Sequence, residues 1–307
     1  MPSVSVLTSL YHSKNYIVEF YERSLAAVRK ITDDYEFVFV DDGSPDDSAA
    51  EVKKIIAKDK NVRLIELSRN FGQHKAVMAG LNHVKGDLVF VLDCDLEEKP
   101  ELLNLFYERM MQDHENIDVV YGYMEKRQGK FVEKKFGKLF YRLMNRMTDM
   151  NIPEDLLMAR LMKLNFVKSM IEFEETHMFI NGLMHLTGYK QVGMPVVKTK
   201  KGTTSYTFFK RVTLAIDSIA SFSGKPLMYI SLLGLSISFI SFLFIIELMI
   251  KVLFFNQYLS GWPSLIVSLW FIGGLMLSAL GVVGLYISKI FVQVKSRPNY
   301  IVRRIYN

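Results

Sequence analysis

A single cysteine, Cys94, stands in 307 residues, which excludes an internal disulfide and fits a reducing compartment. Nucleic-acid signatures are missing as well: no zinc-finger spacing and no aromatic RNP stretch occurs, and no nucleic-acid partner is expected. There is no internal repeat and no low-complexity tract. Met1–Ser9 has neither a basic region nor a long apolar run, so no secretory signal is expected there. Charge is absent from Pro263–Ile287 and reduced to Glu247 over Pro226–Ile250.

Those two charge-poor stretches organise the chain. Hydrophobic residues make up 50% of it and mean hydropathy is +0.15, but the apolar excess gathers after Pro226. Each stretch exceeds the ~20 residues that span a hydrocarbon core, and neither has the polar face of a soluble helix. A helical hairpin is expected over 226–250 and 263–287, because a lipid-exposed backbone satisfies its hydrogen bonds within each segment. Lys210, Arg211 and Lys225 precede it and Lys289, Lys295, Arg297, Arg303 and Arg304 follow, whereas the connecting loop has only Lys251 at its edge. That asymmetry places both termini and the N-terminal domain in the cytoplasm, on a multi-pass plasma-membrane protein. The net charge of +6 then suits anionic lipid headgroups or phosphorylated substrates.

Before the hairpin, short apolar runs alternate with amphipathic helical patterns, the mark of an α/β domain around a mostly parallel sheet. VSVLTSL, EFVFVDD, NVRLIELSR, GDLVFVLDCD and DVVYGYM read as strands. Helices are expected over Asn15–Ile31, after Ser44 as N-cap, over His74–Val84, and from Pro100. Two of the strands end on acidic residues, at the sheet edge where open α/β folds collect ligands. Arg127–Met150 interleaves basic residues with Phe131, Phe136, Phe140 and Tyr141, fitting either a solvated helix face or a surface lying on lipid. YTFFKRVTLAIDSIASFSGK leads into the first apolar segment as an interfacial helix.

Asp93-Cys94-Asp95 puts two carboxylates on one side of a strand end, where they repel unless a cation lies between them. A hard divalent ion such as Mg²⁺ or Mn²⁺ relieves that repulsion, keeping waters and a substrate phosphate in its shell. Asp41 and Asp42 point to opposite faces, so one can meet a ligand while the other supports the loop; DDGS is also ordinary turn chemistry.

In order along the chain, VSVLTSLYHS, FVFVDDGSPDDS, LIELSRNFGQHKAVMAGLNHVKGDLVFVLDCDLEEKPEL, VVYGYMEKR and SIASFSGKPL resemble family-2 glycosyltransferases of the polyprenyl-phosphate type. Dolichyl-phosphate mannose synthases and bacterial undecaprenyl-phosphate glucosyltransferases belong there. The resemblance implies a GT-A (Rossmann-like) domain over 1–206, a juxtamembrane amphipathic helix over 207–225, transmembrane helices within 226–291 and a basic tail over 292–307. It implies an inverting enzyme that takes sugar from a nucleotide-sugar with Mg²⁺ or Mn²⁺ and glycosylates a polyprenyl phosphate, for use in envelope glycan modification.

Carried over by position, the resemblance implies that Thr8, Ser9 and Tyr11 lie along the nucleotide, that Asp41 contacts the base, and that Asp93 and Asp95 serve the metal and diphosphate. Lys201, Gly202 and Tyr206 match a donor loop, and Arg127 and Lys135 match basic positions near the acceptor phosphate. Glu97 replaces the usual glutamine, Met158 stands where relatives carry their candidate base, and His177–Leu183 replaces a basic segment. Asp155 is then the nearest carboxylate by sequence, and with Asp95 and Arg160 it forms the catalytic set. Small residues at Gly273, Gly274, Ser278, Gly281 and Gly284 offer a face for a homo-oligomer. Two other readings compete. A processive polysaccharide synthase would carry a QxxRW motif, which is absent, and a silent membrane scaffold has no use for paired carboxylates.

Overall fold

The computed structural model describes residues 1–124, 142–143, 145–147, 153, 156–175, 180–198, 219–220, 223–255 and 261–307. It divides into two units: Met1–Arg142 with Met150–Tyr206 and Arg297–Asn307, and Leu143–Asp149 with Thr207–Ser296.

The first unit is built on eight strands: β1 (Val4–Leu10), β2 (Tyr35–Asp41), β3 (Val62–Leu67), β4 (Leu88–Val91), β5 (Val119–Tyr123), β6 (Leu156–Lys163), β7 (Gln191–Pro195) and β8 (Val302–Tyr306). They form one sheet in the order β7-β5-β6-β4-β1-β2-β3-β8. Six helices accompany it: α1 (Ile17–Val28), α2 (Ser48–Ile56), α3 (Gln73–Leu81), α4 (Leu102–Met111), α5 (Leu164–Ile171) and α6 (Ile180–Leu186).

The central strands bury both faces, which is why β2 and β4 read as continuous apolar runs. On one side Phe20, Phe37, Phe39, Phe90 and Phe106 form a core with α1, α2 and α4. On the other, Met78, Met162, Phe166, Met170 and Met184 pack α3, α5 and α6 against the sheet. Helix α1 reaches its core with Ile17, Phe20, Ser24 and Ala27, a spacing of three and four residues that keeps them on one stripe.

The sheet is mixed, with four of its seven described pairings parallel. Its centre, β4-β1-β2-β3, is parallel, but β6 runs antiparallel to both β4 and β5. The LLMARLMK sequence of β6 contains no β-branched residue, so it lacks the propensity signal of a strand and is held by its two neighbours. Ser44 is not the cap of α2, which starts at Ser48 after Asp47. Instead its hydroxyl donates to Asp46 Oδ1 at 2.6 Å and accepts the His12 N–H at 2.8 Å, tying the first two strand ends together.

The end of the chain corrects another expectation. Residues 302–306, expected within a basic tail, form β8 and pair antiparallel with β3, from Leu64 opposite Tyr306 to Leu67 opposite Val302. Ser68 N–H donates to Ile301 O at 2.9 Å, Lys53 Nζ lies 4.1 Å from the centre of the Tyr306 ring, and Tyr300 and Val302 pack against the same core as Phe71. The charges on Arg303 and Arg304 masked an edge strand, and basic residues are what an exposed edge carries to discourage further pairing.

In the second unit, α7 (Lys225–Phe255) and α8 (Trp262–Val294) contain two helical stretches long and apolar enough to cross a membrane, Lys225–Phe244 and Ser268–Val294. Leu235, Phe239, Leu269, Trp270 and Leu277 are exposed, the opposite of a soluble core helix. Tyr286 donates from its hydroxyl to Ser223 O at 2.6 Å, and Ser223 donates in turn to Met147 O. The interfacial-helix reading, and most of the basic aromatic stretch before it, lie outside the described residues.

Candidate active site

A cavity of about 330 Å³ opens at the carboxyl ends of β1, β2 and β4, lined among others by Ser9, Tyr11, Asp42, Asn70, Gln73, Asp93 and Asp95. Both acidic strand ends therefore converge on one cleft.

At the end of β2 the two aspartates divide the work. Asp42 accepts the backbone N–H groups of Phe71 at 2.7 Å and Gly72 at 2.9 Å, so it grips the SRNFG loop. Asp41 accepts the Ser44 N–H at 3.0 Å, and burial, with Glu66, Asp46 and Asp42 nearby, pushes its pKa up to about 6. Between turn and loop there is no room: Gly43 has φ +63°, and a Cβ there would lie 2.6 Å from the Arg69 carbonyl carbon and 2.7 Å from Asn70 N. Gly43→Ala combines a left-handed backbone with a backbone clash, and we expect a loss of about 2 kcal/mol or more. Thermal unfolding checks the stability, and a raised KM for donor with kcat less affected checks that the loop has shifted.

The second acidic pair follows β4. Asp93 Oδ1 accepts from Gln73 Nε2 at 2.6 Å, and Asp95 Oδ1 accepts the Glu97 N–H at 3.0 Å. Burial, reinforced by Glu98 and Asp95, pushes Asp93 up to about 7. Leu96 holds φ +61° and His12, on the β1 side, holds φ +55°. Such strained non-glycine backbones concentrate at functional sites.

Sequence reasoning missed what supports this pair. Glu98 is 1% exposed, and its carboxylate accepts the consecutive N–H groups of Met158 and Ala159 at 3.4 and 2.7 Å. It thereby fastens β6 to the loop after Asp95. Lys198 Nζ lies 2.8 Å from Glu97 and 3.9 Å from Glu98, supplying positive charge to this acidic cluster. The departure at Glu97 was visible in the sequence, whereas nothing near Lys198 marked it as a partner 100 residues away.

The donors suit a hard divalent cation. Asp93 and Asp95 offer carboxylate oxygens in one cleft, burial with Glu98 and Asp95 nearby disfavours charge on Asp93, and a cation would offset that cost. No group of three or more metal-ligating side chains occurs among the described residues, which leaves coordination positions for water and phosphate oxygens.

The remaining expected residues are dispersed. Thr8 is 1% exposed on β1, opposite Phe39, behind the cleft wall rather than along it, and its hydroxyl has no hydrogen-bond partner among the described residues. Arg160 sits on β6 opposite Val91 and Tyr121, 3% exposed, and lines a second cavity. Burial pulls its pKa down to about 10, against the raising effect of Glu98 and Asp93. Arg127, Lys135, Asp155, Lys201 and Tyr206 lie outside the described residues.

A family model described as glycosyl transferase family 2 matches residues 5–170. Over 303 residues, 99% of this chain and 88% of the relative, the sequence is 44% identical to a Mycobacterium tuberculosis (strain CDC 1551 / Oshkosh) protein named for glycosyltransferase activity without a substrate. It is 31% identical to the undecaprenyl-phosphate 4-deoxy-4-formamido-L-arabinose transferase of Sodalis glossinidius (strain morsitans), covering 98% of this chain and 93% of that one. To the SfII prophage-derived bactoprenol glucosyl transferase of Shigella flexneri it is 30% identical, over 98% and 97% of the two chains.

Proposed function

Because the chain belongs to glycosyl transferase family 2, we propose that it transfers a sugar from a nucleotide-sugar to a polyprenyl phosphate at the inner face of a plasma membrane. The supporting observation is the convergence of both acidic strand ends on one cleft, in a chain that also carries two helices long enough to span a bilayer. The names of two full-length relatives, each specifying a polyprenyl carrier, point the same way.

In this reading Ser9 and Tyr11 flank the nucleoside, and Asp41 meets the base through the oxygen that Ser44 leaves free. Asp93 and Asp95 hold the divalent ion. Such an ion, Mg²⁺ or Mn²⁺, would neutralise charge on the departing diphosphate. Gln73 orients Asp93 through its hydrogen bond, and Glu98 keeps β6 against the site. Lys201 and Tyr206 serve the donor, while Arg127 and Lys135 bring the acceptor phosphate into line, where positioning and charge stabilisation supply most of the rate. A phosphate acceptor is already anionic near neutral pH, so no residue has to remove its proton and Met158 is tolerated. Asp155 then assists orientation rather than serving as an obligatory base. The product would be a lipid-linked sugar for envelope glycans, made by a catalytic unit that shares the cytoplasm with both termini.

The test uses purified full-length protein, labelled nucleotide-sugars, and either polyprenyl phosphate or the matching unphosphorylated polyprenol. Label should enter the lipid phase with the phosphate alone, and Arg127→Gln should raise the acceptor KM roughly tenfold or more while leaving the donor KM nearly unchanged. Equal labelling of the alcohol, or label growing into a polymer, would overturn this assignment.

A further inference from the structure

The second cavity, about 440 Å³, lies between β5, β6, α6 and β7 and shares no lining residue with the acidic cleft. Its described lining contains no aspartate or glutamate. It does contain Arg160, Asn181, Tyr121 and His185, beside Tyr189 and Gln191, which already bond the Ser169 hydroxyl and the Met184 carbonyl.

Arg160 makes this set unusual. Its guanidinium is buried, yet its bonds go only to neutral acceptors: Nε to Met158 O at 3.0 Å, Nη2 to Leu157 O at 2.7 Å and to Asn181 Oδ1 at 3.1 Å, and Nη1 to the thioether of Met184. No carboxylate among the described residues forms an ion pair with it. A buried cation whose neighbouring carboxylates, Glu98 and Asp93, reach it only through space is costly, and sulfur is a weak acceptor for the remaining nitrogen. Because Asn181 spends its oxygen on Arg160, its amide N–H groups remain as donors. The Tyr121 hydroxyl and the His185 ring add donors from other sides of the cavity.

We propose that this cavity is a phosphomonoester site, in which Arg160 supplies the charge and Asn181, Tyr121 and His185 hydrogen-bond the oxygens. A tetrahedral anion uses donors arriving from several directions and fits within this volume. Its source is either the headgroup of the lipid acceptor or free phosphate. The headgroup case rests on the transfer reaction proposed above; the anion site itself does not.

Asn181→Asp provides the sharpest test, because it places a carboxylate beside the guanidinium with almost no change in volume and fills the site with an internal counterion. Thermal unfolding of the full-length protein is followed in EDTA, which withholds metal from the donor cleft, with sodium phosphate against sodium chloride at equal ionic strength. Phosphate at about ten times its Kd should raise the wild-type midpoint by about 3 °C, and Asn181→Asp should lose that response. His185→Glu, a change at an exposed position, should weaken it as a second variant that leaves the buried bonds intact.

Polyprenyl phosphate and polyprenol in matched micelles then separate the sources. Stabilisation by the lipid phosphate at far lower concentration than inorganic phosphate, with an acceptor KM raised at least tenfold in Asn181→Asp, assigns the site to the lipid headgroup. A response to inorganic phosphate alone, with an unchanged acceptor KM, assigns it to free phosphate. An equal phosphate response in wild type and both variants, or none in wild type, overturns the proposal. Loss of polyprenyl-phosphate transfer as the activity would leave the inorganic phosphate result standing, so the two readings fail separately.

Discussion

Asp95→Asn should lower sugar transfer by roughly 10²–10³-fold or more while leaving the unfolding midpoint close to wild type, since it removes charge from a carboxylate proposed above to hold the divalent ion. The structure explains why the fold tolerates it. Among the described residues, the Asp95 side chain accepts one backbone bond, from Glu97 N–H to Oδ1, and an asparagine oxygen accepts that bond equally well. The substitution also removes one of the charges raising the Asp93 pKa, so the unliganded cleft becomes less strained. Inactivity in the variant therefore reports lost electrostatic function rather than lost structure. Chelation of divalent ions from the wild-type enzyme should give the same loss, reversed by Mg²⁺ or Mn²⁺. Full activity in buffer shown by elemental analysis to be metal-free would sink the metal assignment.

Ending the chain after Ser296 should be the most damaging change to the first unit, although it removes only 11 residues far in sequence from the acidic pairs. Deletion takes away β8, its pairing along β3, the Ser68 to Ile301 bond at the head of the SRNFG loop, and the packing of Tyr300 and Val302 on the core. At a few tenths to one kcal/mol for each cross-strand pair, plus buried apolar surface, the cost is on the order of 3 kcal/mol. Phe71 belongs to the loop that Asp42 grips, so loosening there should also raise the donor KM and expose the loop to protease. Arg304→Gln, which keeps backbone pairing and changes one exposed charge, should shift the midpoint little. Identical protease resistance in the truncated and full chains would show that β8 is dispensable.

The parts of this molecule that were legible in sequence are those whose pattern is local. Apolar runs ending on Asp41-Asp42 and near Asp93 announced β2 and β4, and two charge-poor stretches announced α7 and α8. Other parts depend on contacts between distant residues. Strand β6 lacks β-branched residues, β8 resembles a basic tail, and the bonds from Glu98 to Met158 and Ala159 span about 60 residues. Asp42 rather than Asp41 proved to hold the loop, because adjacent carboxylates on a strand differ only in the face they take, and sequence does not say which face meets Phe71. Arg160 was marked as charged machinery, but its burial and its bond to Asn181 become visible only when β6 and α6 are placed together.

Pairing of β3 with β8 also constrains how the protein is made. Strands bonded edge to edge cannot lie on opposite faces of a bilayer, so the intervening chain, with α7 and α8, must cross an even number of times or not at all. During synthesis, β3 leaves the ribosome more than 200 residues before its partner and must wait with a bare edge. Both long apolar helices are made in that interval. A product in which only one of them threads the bilayer would strand β8 on the wrong face and leave the sheet incomplete. In the topology proposed above, β8 can close on β3 only in molecules whose hairpin has returned to the side from which it started.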